Sequence, residues 1–157
     1  MTGTVYLTKE KAKEFEAELY DLQHRGRKEM AQKIADARAH GDLSENADYD
    51  AAKDAQALME LKISKIQQTL SRSQIINPNE FPDDKVYILS KVKIKNLKND
   101  MELNYQLVSP EEADYEMNKI AITSPLGKSF MGKAVGEIAE VNLPNGLQRY
   151  EILEISK

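Results

Sequence analysis

Residues 39–56 read AHGDLSENADYDAAKDAQ, with Asp42, Glu45, Asp48, Asp50 and Asp54 crowded around a lone Leu43. Asp42 and Glu45 stand three residues apart beside Gly41, so at a bend their carboxylates can converge on one point outside the chain. Two such oxygens suit a hard cation, but Mg²⁺ demands about six oxygens at about 2.0–2.1 Å. The pair is therefore half of a magnesium site, and the other half must come from a partner. A local alternative accounts for the same residues: Asp42-Leu43-Ser44-Glu45 has the form of a capping box, with a carboxylate at N3 returning to the N-cap amide. Acids in a first helical turn also favour the helix dipole, by about 0.3–1 kcal/mol each. Leu43 argues for the outward reading, since a leucine in a polar turn lies far from any core the flanking segments supply.

Those flanking segments are helical. After Thr8, a candidate N-cap, Phe15, Leu19, Leu22, Met30, Ile34 and Ala37 recur at spacings of three, four or their multiples. Gly26 interrupts the stripe at a cost of about 1 kcal/mol relative to alanine. Ala52, Ala55, Met59, Ile63, Ile66 and Leu70 resume it, and Asn77-Pro78 ends it. A helix with so narrow a stripe cannot bury it alone, and two joined by a short turn pack antiparallel as a hairpin. Two arms of about 30 residues would each extend roughly 45 Å. Ala51, Ala52, Ala55 and Ala57 make the far end slim. The hairpin covers residues 1–76, with its acidic tip at 41–48.

Residues 77–84, NPNEFPDD, have the composition of a linker. Beyond them the period changes toward two. KVYILSKVKIKNL and MELNYQLV flank Lys98-Asn99-Asp100, and EIAEVNL and QRYEILEI flank Pro144-Asn145-Gly146, each pair reading as a β-hairpin. Between them Ser124 can cap a short helix with Pro125 at its first position. Residues 85–157 are thus a small α+β domain with an antiparallel sheet and one short helix.

Composition narrows the function. The 157 residues contain no cysteine and two histidines, His24 and His40, which excludes thiolate chemistry and disfavours a histidine-built metal centre. No apolar run nears the roughly 20 residues of a membrane span, and the start lacks a secretory pattern, so a cytoplasmic location without membrane contact is expected. Net charge is −4, and neither half has the positive excess of a protein that tracks free duplex. Arg25, Arg27 and Lys28 form the densest basic cluster.

ARAHGDLSENADYDAAKDAQ closely resembles the signature of the bacterial Gre transcript cleavage (transcription elongation) factors, on the GreA branch. The resemblance extends to YLTKEKAKEFEAELYDL at the start, VSPEEADYEMNKIAITSPLGKSFMGKAVGE in the second half and the closing YEILEI. It implies a two-domain protein: an N-terminal antiparallel α-helical coiled-coil hairpin and a C-terminal FKBP-like domain. The globular domain would dock at the rim of the RNA polymerase secondary channel, while the hairpin reaches the active centre. Asp42 and Glu45 match the family's tip acids. They would act as catalytic and metal-holding groups only in the complex, toward the Mg²⁺ of the polymerase centre, with no cofactor in isolation. The implied function is cleavage of the nascent RNA 3′ end in backtracked complexes, an activity of the polymerase that this chain stimulates without being an enzyme itself.

Smaller assignments follow. Leu43, Ser44 and Asn46 are candidates for partner or RNA contact, as are Arg38 and Lys53 beside the tip and Arg25, Arg27 and Lys28 farther back. Tyr49 is expected to pack on the hairpin. Ser124, Pro125, Leu126 and Gly127 are candidates for polymerase docking or for sealing the sheet. DNA would be met only within the elongation complex, and the chain would act as a monomer. Where many family members read Glu-Gly-Arg-Ile, this chain has Glu60-Leu61-Lys62-Ile63, and Gly26-Arg27-Lys28 replaces a frequent Arg-Pro. The competing function is a channel-binding inhibitor without cleavage activity.

Overall fold

A computed structural model describes residues 3–39 and 47–157. The chain forms two compact units, one of residues 1–4 and 10–73 and one of residues 5–9 and 74–157.

The first unit is helical. Helix α1 (Lys9–Asp21) starts directly after Thr8, and α2 (Arg27–Arg38) and α3 (Ala47–Ser71) follow. Between α1 and α2 the chain widens into one π-helical turn, Leu22–Gly26. That turn falls where glycine interrupts the apolar stripe. Wide turns of this kind let a helix absorb a local misfit without breaking. Helices α2 and α3 pack side by side. Their direction is antiparallel: Arg38 lies over the Tyr49 ring at 5.8 Å, Arg27 pairs with Glu60 at 2.9 Å, and Glu18 pairs with Lys62 at 2.8 Å. Ile34, Ala37, Ala52, Ile63 and Ile66 are buried, whereas Phe15, Leu19, Met30 and Met59 are half-buried. Two helices cover only a narrow strip of each other.

The second helical stretch stops earlier than Asn77-Pro78. Ser71 Oγ donates to the Gln68 carbonyl at 2.8 Å and Ser73 Oγ to the Leu70 carbonyl at 2.8 Å. In a continuing helix the Leu70 carbonyl would have met the Gln74 N–H, and the Ser73 hydroxyl takes that place. The chain then enters strand β2 (Ser73–Ile75), which pairs with β1 (Val5–Leu7).

The second unit holds a five-stranded sheet of order β5-β4-β3-β7-β6. The expected hairpins are β3 (Lys91–Asn96) with β4 (Glu102–Val108), and β6 (Ile138–Leu143) with β7 (Gly146–Ser156). Both are antiparallel, and β3 also pairs antiparallel with β7 across an irregularity at Lys93/Ile94. One side of the sheet presents Val92, Ile94, Leu107, Ile120, Ala139, Val141, Tyr150 and Ile152 to the core, with Phe130 of helix α4 (Pro125–Phe130) set edge-on to Tyr150 at 5.9 Å.

Three expectations need correction. The sheet is mixed, because β5 (Lys119–Ala121) runs parallel to β4. The intervening segment folds through short 3₁₀ turns at Pro110–Glu112 and Tyr115–Met117, and Asn118 takes φ 55°, which gives the chain room to return in the same direction. Residues 5–9 belong with the second unit instead of the hairpin. Glu112 accepts both the Thr8 N–H at 2.6 Å and the Thr8 hydroxyl at 3.0 Å there. Residues 77–84 also fold with this unit: Pro78–Glu80 form a 3₁₀ turn, and Phe81 packs beside Ile76, Leu89 and Val108.

Candidate functional site

Asp42, Leu43, Ser44, Glu45 and Asn46 lie outside the described residues. What is described is their support. Helix α2 ends on Arg38, with the Ala39 N–H bonded back to the carbonyls of Ala35 and Asp36. Helix α3 opens on Ala47 and carries Asp48 and Asp50 in its first turn, where carboxylates favour the helix dipole. Between the two helices the covered residues nearest this end are alanines, Ala37 and Ala52. Small side chains there let backbones approach.

The arginine beside the tip faces an aromatic ring. Arg38 lies over Tyr49, which is half-buried, an arrangement worth about 0.5–1 kcal/mol at exposed sites. Tyr49 thus packs on the helix pair, as its position suggested. Lys53 donates to the Gln56 amide oxygen at 3.1 Å.

The basic cluster farther along α2 is engaged within the unit. Arg25 reaches Asp21 at 2.7 Å and Glu29 at 2.9 Å along its own helical path. Arg27 holds Glu60 across to α3 through two hydrogen bonds of 3.1 and 2.9 Å. The guanidinium of Arg25 holds the Asp21 carboxyl below the usual aspartate range, and that of Arg27 holds Glu60 below the glutamate range. The carboxylates raise both guanidinium values in return. Lys28 is exposed. RNA contact by either arginine would compete with these pairs.

In the second unit, Ser124 and Gly127 are occupied by packing. Ser124 Oγ accepts the Gly127 N–H at 3.0 Å, capping α4, and donates to the Ala121 carbonyl at 2.6 Å. A Cβ on Gly127 would land on that same carbonyl oxygen. Leu126 is half-buried against the core. Pro125 and Lys128 are the exposed residues of the helix.

Two features had no usable signal in the sequence. Glu112 is buried inside an ordinary-looking acidic run, Glu111-Glu112-Ala113-Asp114. Lys128 and Lys133 line one groove with Arg149, which comes from a different element, β7. Among the described residues no group of three histidine, cysteine or acidic side chains could hold a metal ion, and no helix is long and apolar enough to cross a membrane.

Residues 5–75 match the family model described as transcription elongation factor, N-terminal, and residues 81–157 match that for the transcription elongation factor GreA/GreB C-terminal domain. The chain is 47% identical to the transcription elongation factor GreA of Flavobacterium johnsoniae, over 100% of this chain and 99% of that one. It is likewise 47% identical to the GreA of Chloroherpeton thalassium, over 99% and 98% of the two chains. A solved structure of the transcription factor Gfh1 aligns over 100% of both chains at 26% identity with a TM-score of 0.48. With both halves matched by family models and relatives aligned from end to end, the chain belongs to the GreA/GreB family of transcription elongation factors.

Proposed function

We propose that this elongation factor completes the active centre of RNA polymerase in backtracked complexes, promoting Mg²⁺-dependent cleavage of the RNA 3′ end so that elongation resumes. The supporting observation is the pairing of Asp42 and Glu45 in GDLSEN with two antiparallel helices whose covered residues nearest that segment are alanines, Ala37 and Ala52. In this reading the helix pair is a coiled coil that enters the polymerase secondary channel, and the second unit is an FKBP-like domain that docks at the rim. The chain contributes carboxylates and has no nuclease activity alone.

The donor set fits a hard divalent cation, since Asp42 and Glu45 offer only oxygen, and it falls short of the about six oxygens Mg²⁺ requires. When bound in the polymerase centre, Mg²⁺ supplies positive charge for activating water and for the leaving oxygen. Asp42 helps hold the ion, directly or through its water. Glu45 orients the attacking water or takes its proton. General-base assistance of this kind contributes about 10²–10⁴-fold.

The test adds the protein to backtracked complexes carrying labelled RNA. Short 3′ fragments should appear only with both protein and Mg²⁺. Asp42→Asn and Glu45→Gln should each slow their release by about 10²–10⁴-fold while polymerase binding persists. Cleavage that survives both substitutions removes the tip mechanism. Binding without cleavage by the unaltered chain supports the inhibitor reading instead.

A further inference from the structure

The side of the five-stranded sheet turned away from its core and α4 carries polar chemistry that the tip does not use. Val92, Tyr105 and Ile155 pack on the core side of three adjacent strands, so the residues alternating with them point outward. Their register makes a grid. Gln106, Lys91 and Ser156 form one row across β4, β3 and β7, and Asn104, Lys93 and Glu154 form the next. At ordinary strand spacing the grid measures roughly 10 by 7 Å. Met117 and Asn118 stand at its β4 side, fixed by the Gln106 N–H, which donates to the Asn118 carbonyl at 2.9 Å. Grid and turn line an open hollow of about 360 Å³, within the size range of small-ligand sites.

Most polar groups of this hollow are unengaged. Among the described residues, the side chains of Lys91, Asn104, Asn118, Glu154 and Ser156 make no hydrogen bond or ion pair. Lys93 meets only Glu102, at 3.9 Å, although Glu154 lies opposite it in the register. Gln106 donates to the Leu89 carbonyl at 3.3 Å. We propose that the hollow binds a free nucleoside monophosphate, with the phosphoryl group on Lys91 and Lys93 and the base against Met117.

Each part of that ligand answers to a residue type. Two ammoniums on one face of β3 can close on a single phosphoryl group, because lysine is a point charge on a flexible stem. A base lying toward the β4 side meets Met117, which is 66% exposed, and a thioether suits an aromatic ring. Asn104 and Asn118 offer both donors and acceptors to the edge of that base. A bare phosphate would leave the Met117 side of the hollow unfilled. Glu154 stands on β7, across the lysines from Met117. Further phosphates would extend toward it and be repelled, which selects the monophosphate. Neither polymerase nor the tip acids enter this assignment, so it stands apart from the cleavage reading.

The test is an amide-shift titration of the full chain with each of the four nucleoside 5′-monophosphates. At least one should shift the amides of Lys91, Lys93 and Asn118 saturably. Its nucleoside, its triphosphate and inorganic phosphate should each bind about tenfold more weakly or worse. Lys91→Gln with Lys93→Gln should weaken the monophosphate by a similar factor, whereas Lys91→Arg with Lys93→Arg should retain it. Glu154→Gln should narrow the gap between mono- and triphosphate, and Met117→Ala should weaken the monophosphate while leaving inorganic phosphate unchanged. No saturable shift with any of the four overturns the site, as does binding that survives the double glutamine variant. Inorganic phosphate or the triphosphate binding as tightly overturns the monophosphate as the ligand. An RNA oligonucleotide that shifts the same amides at tenfold lower concentration overturns a free nucleotide as the occupant.

Discussion

Gly127 shows how one missing atom can decide a local structure. The Ala121 carbonyl already accepts the Ser124 hydroxyl and occupies the space a Cβ would need. Gly127→Ala must push α4 away from β5, and overpacking of this kind costs about 1–3 kcal/mol. A urea titration should show that loss, and an unchanged midpoint would mean the contact is slack. The ion pairs behave differently because they are exposed. Asp21 and Glu60 have folded values below their unfolded ones, which are about 3.9 and 4.3. Their contribution is complete above those unfolded values and disappears as pH falls through the lowered ones. Asp21→Asn and Glu60→Gln should therefore unfold more easily than wild type at pH 7. The gap should shrink below about pH 4 and also in high salt, as followed by helical circular dichroism. A gap that persists in strong acid would show that the substitutions act by some route other than charge.

Among the elements, the π turn at Leu22–Gly26 is the one that local sequence rules handle worst. Gly26 interrupted the apolar stripe visibly, but its backbone is ordinary right-handed helix, φ −61° and ψ −47°. Nothing there requires glycine. A Cβ would sit 3.2 Å from Met59 Sδ, the far end of a flexible side chain. Gly26→Ala should thus stabilise the first unit by about 0.5–1 kcal/mol through reduced chain entropy. A lower melting temperature would show that the close passage of α3 is rigid. The hairpins and α4 were legible because their signals are local: Asn145-Gly146 after a proline, Ser124 before Pro125, alternation in VKIKN. The parallel β4–β5 pair was not, since pairing partners separated by a ten-residue excursion leave no periodic trace.

For the molecule as a whole, chain order and compact units do not coincide. Leu7 is fully buried and precedes the first helix, yet it is grouped with residues 74–157. Leu7→Ala should cost about 2–5 kcal/mol, and the loss should appear in hydrogen exchange of the second unit's core amides. Loss confined to the hairpin amides would contradict this grouping. The tie between Thr8 and Glu112, 104 residues apart, belongs to the same closure.

Taken alone, the sequence determined the helix pair, both β-hairpins, the capped short helix and the family. Each is written in spacing or in contiguous motifs, so each survives without knowledge of distant contacts. Tertiary structure alone decided that residues 5–9 join the second unit, that Glu112 is buried on Thr8, that β5 runs parallel to β4, and that Lys128, Lys133 and Arg149 share a groove. Those outcomes depend on which remote segments meet, and closing long loops to bring them together is set by the packing of the whole, which no local pattern encodes.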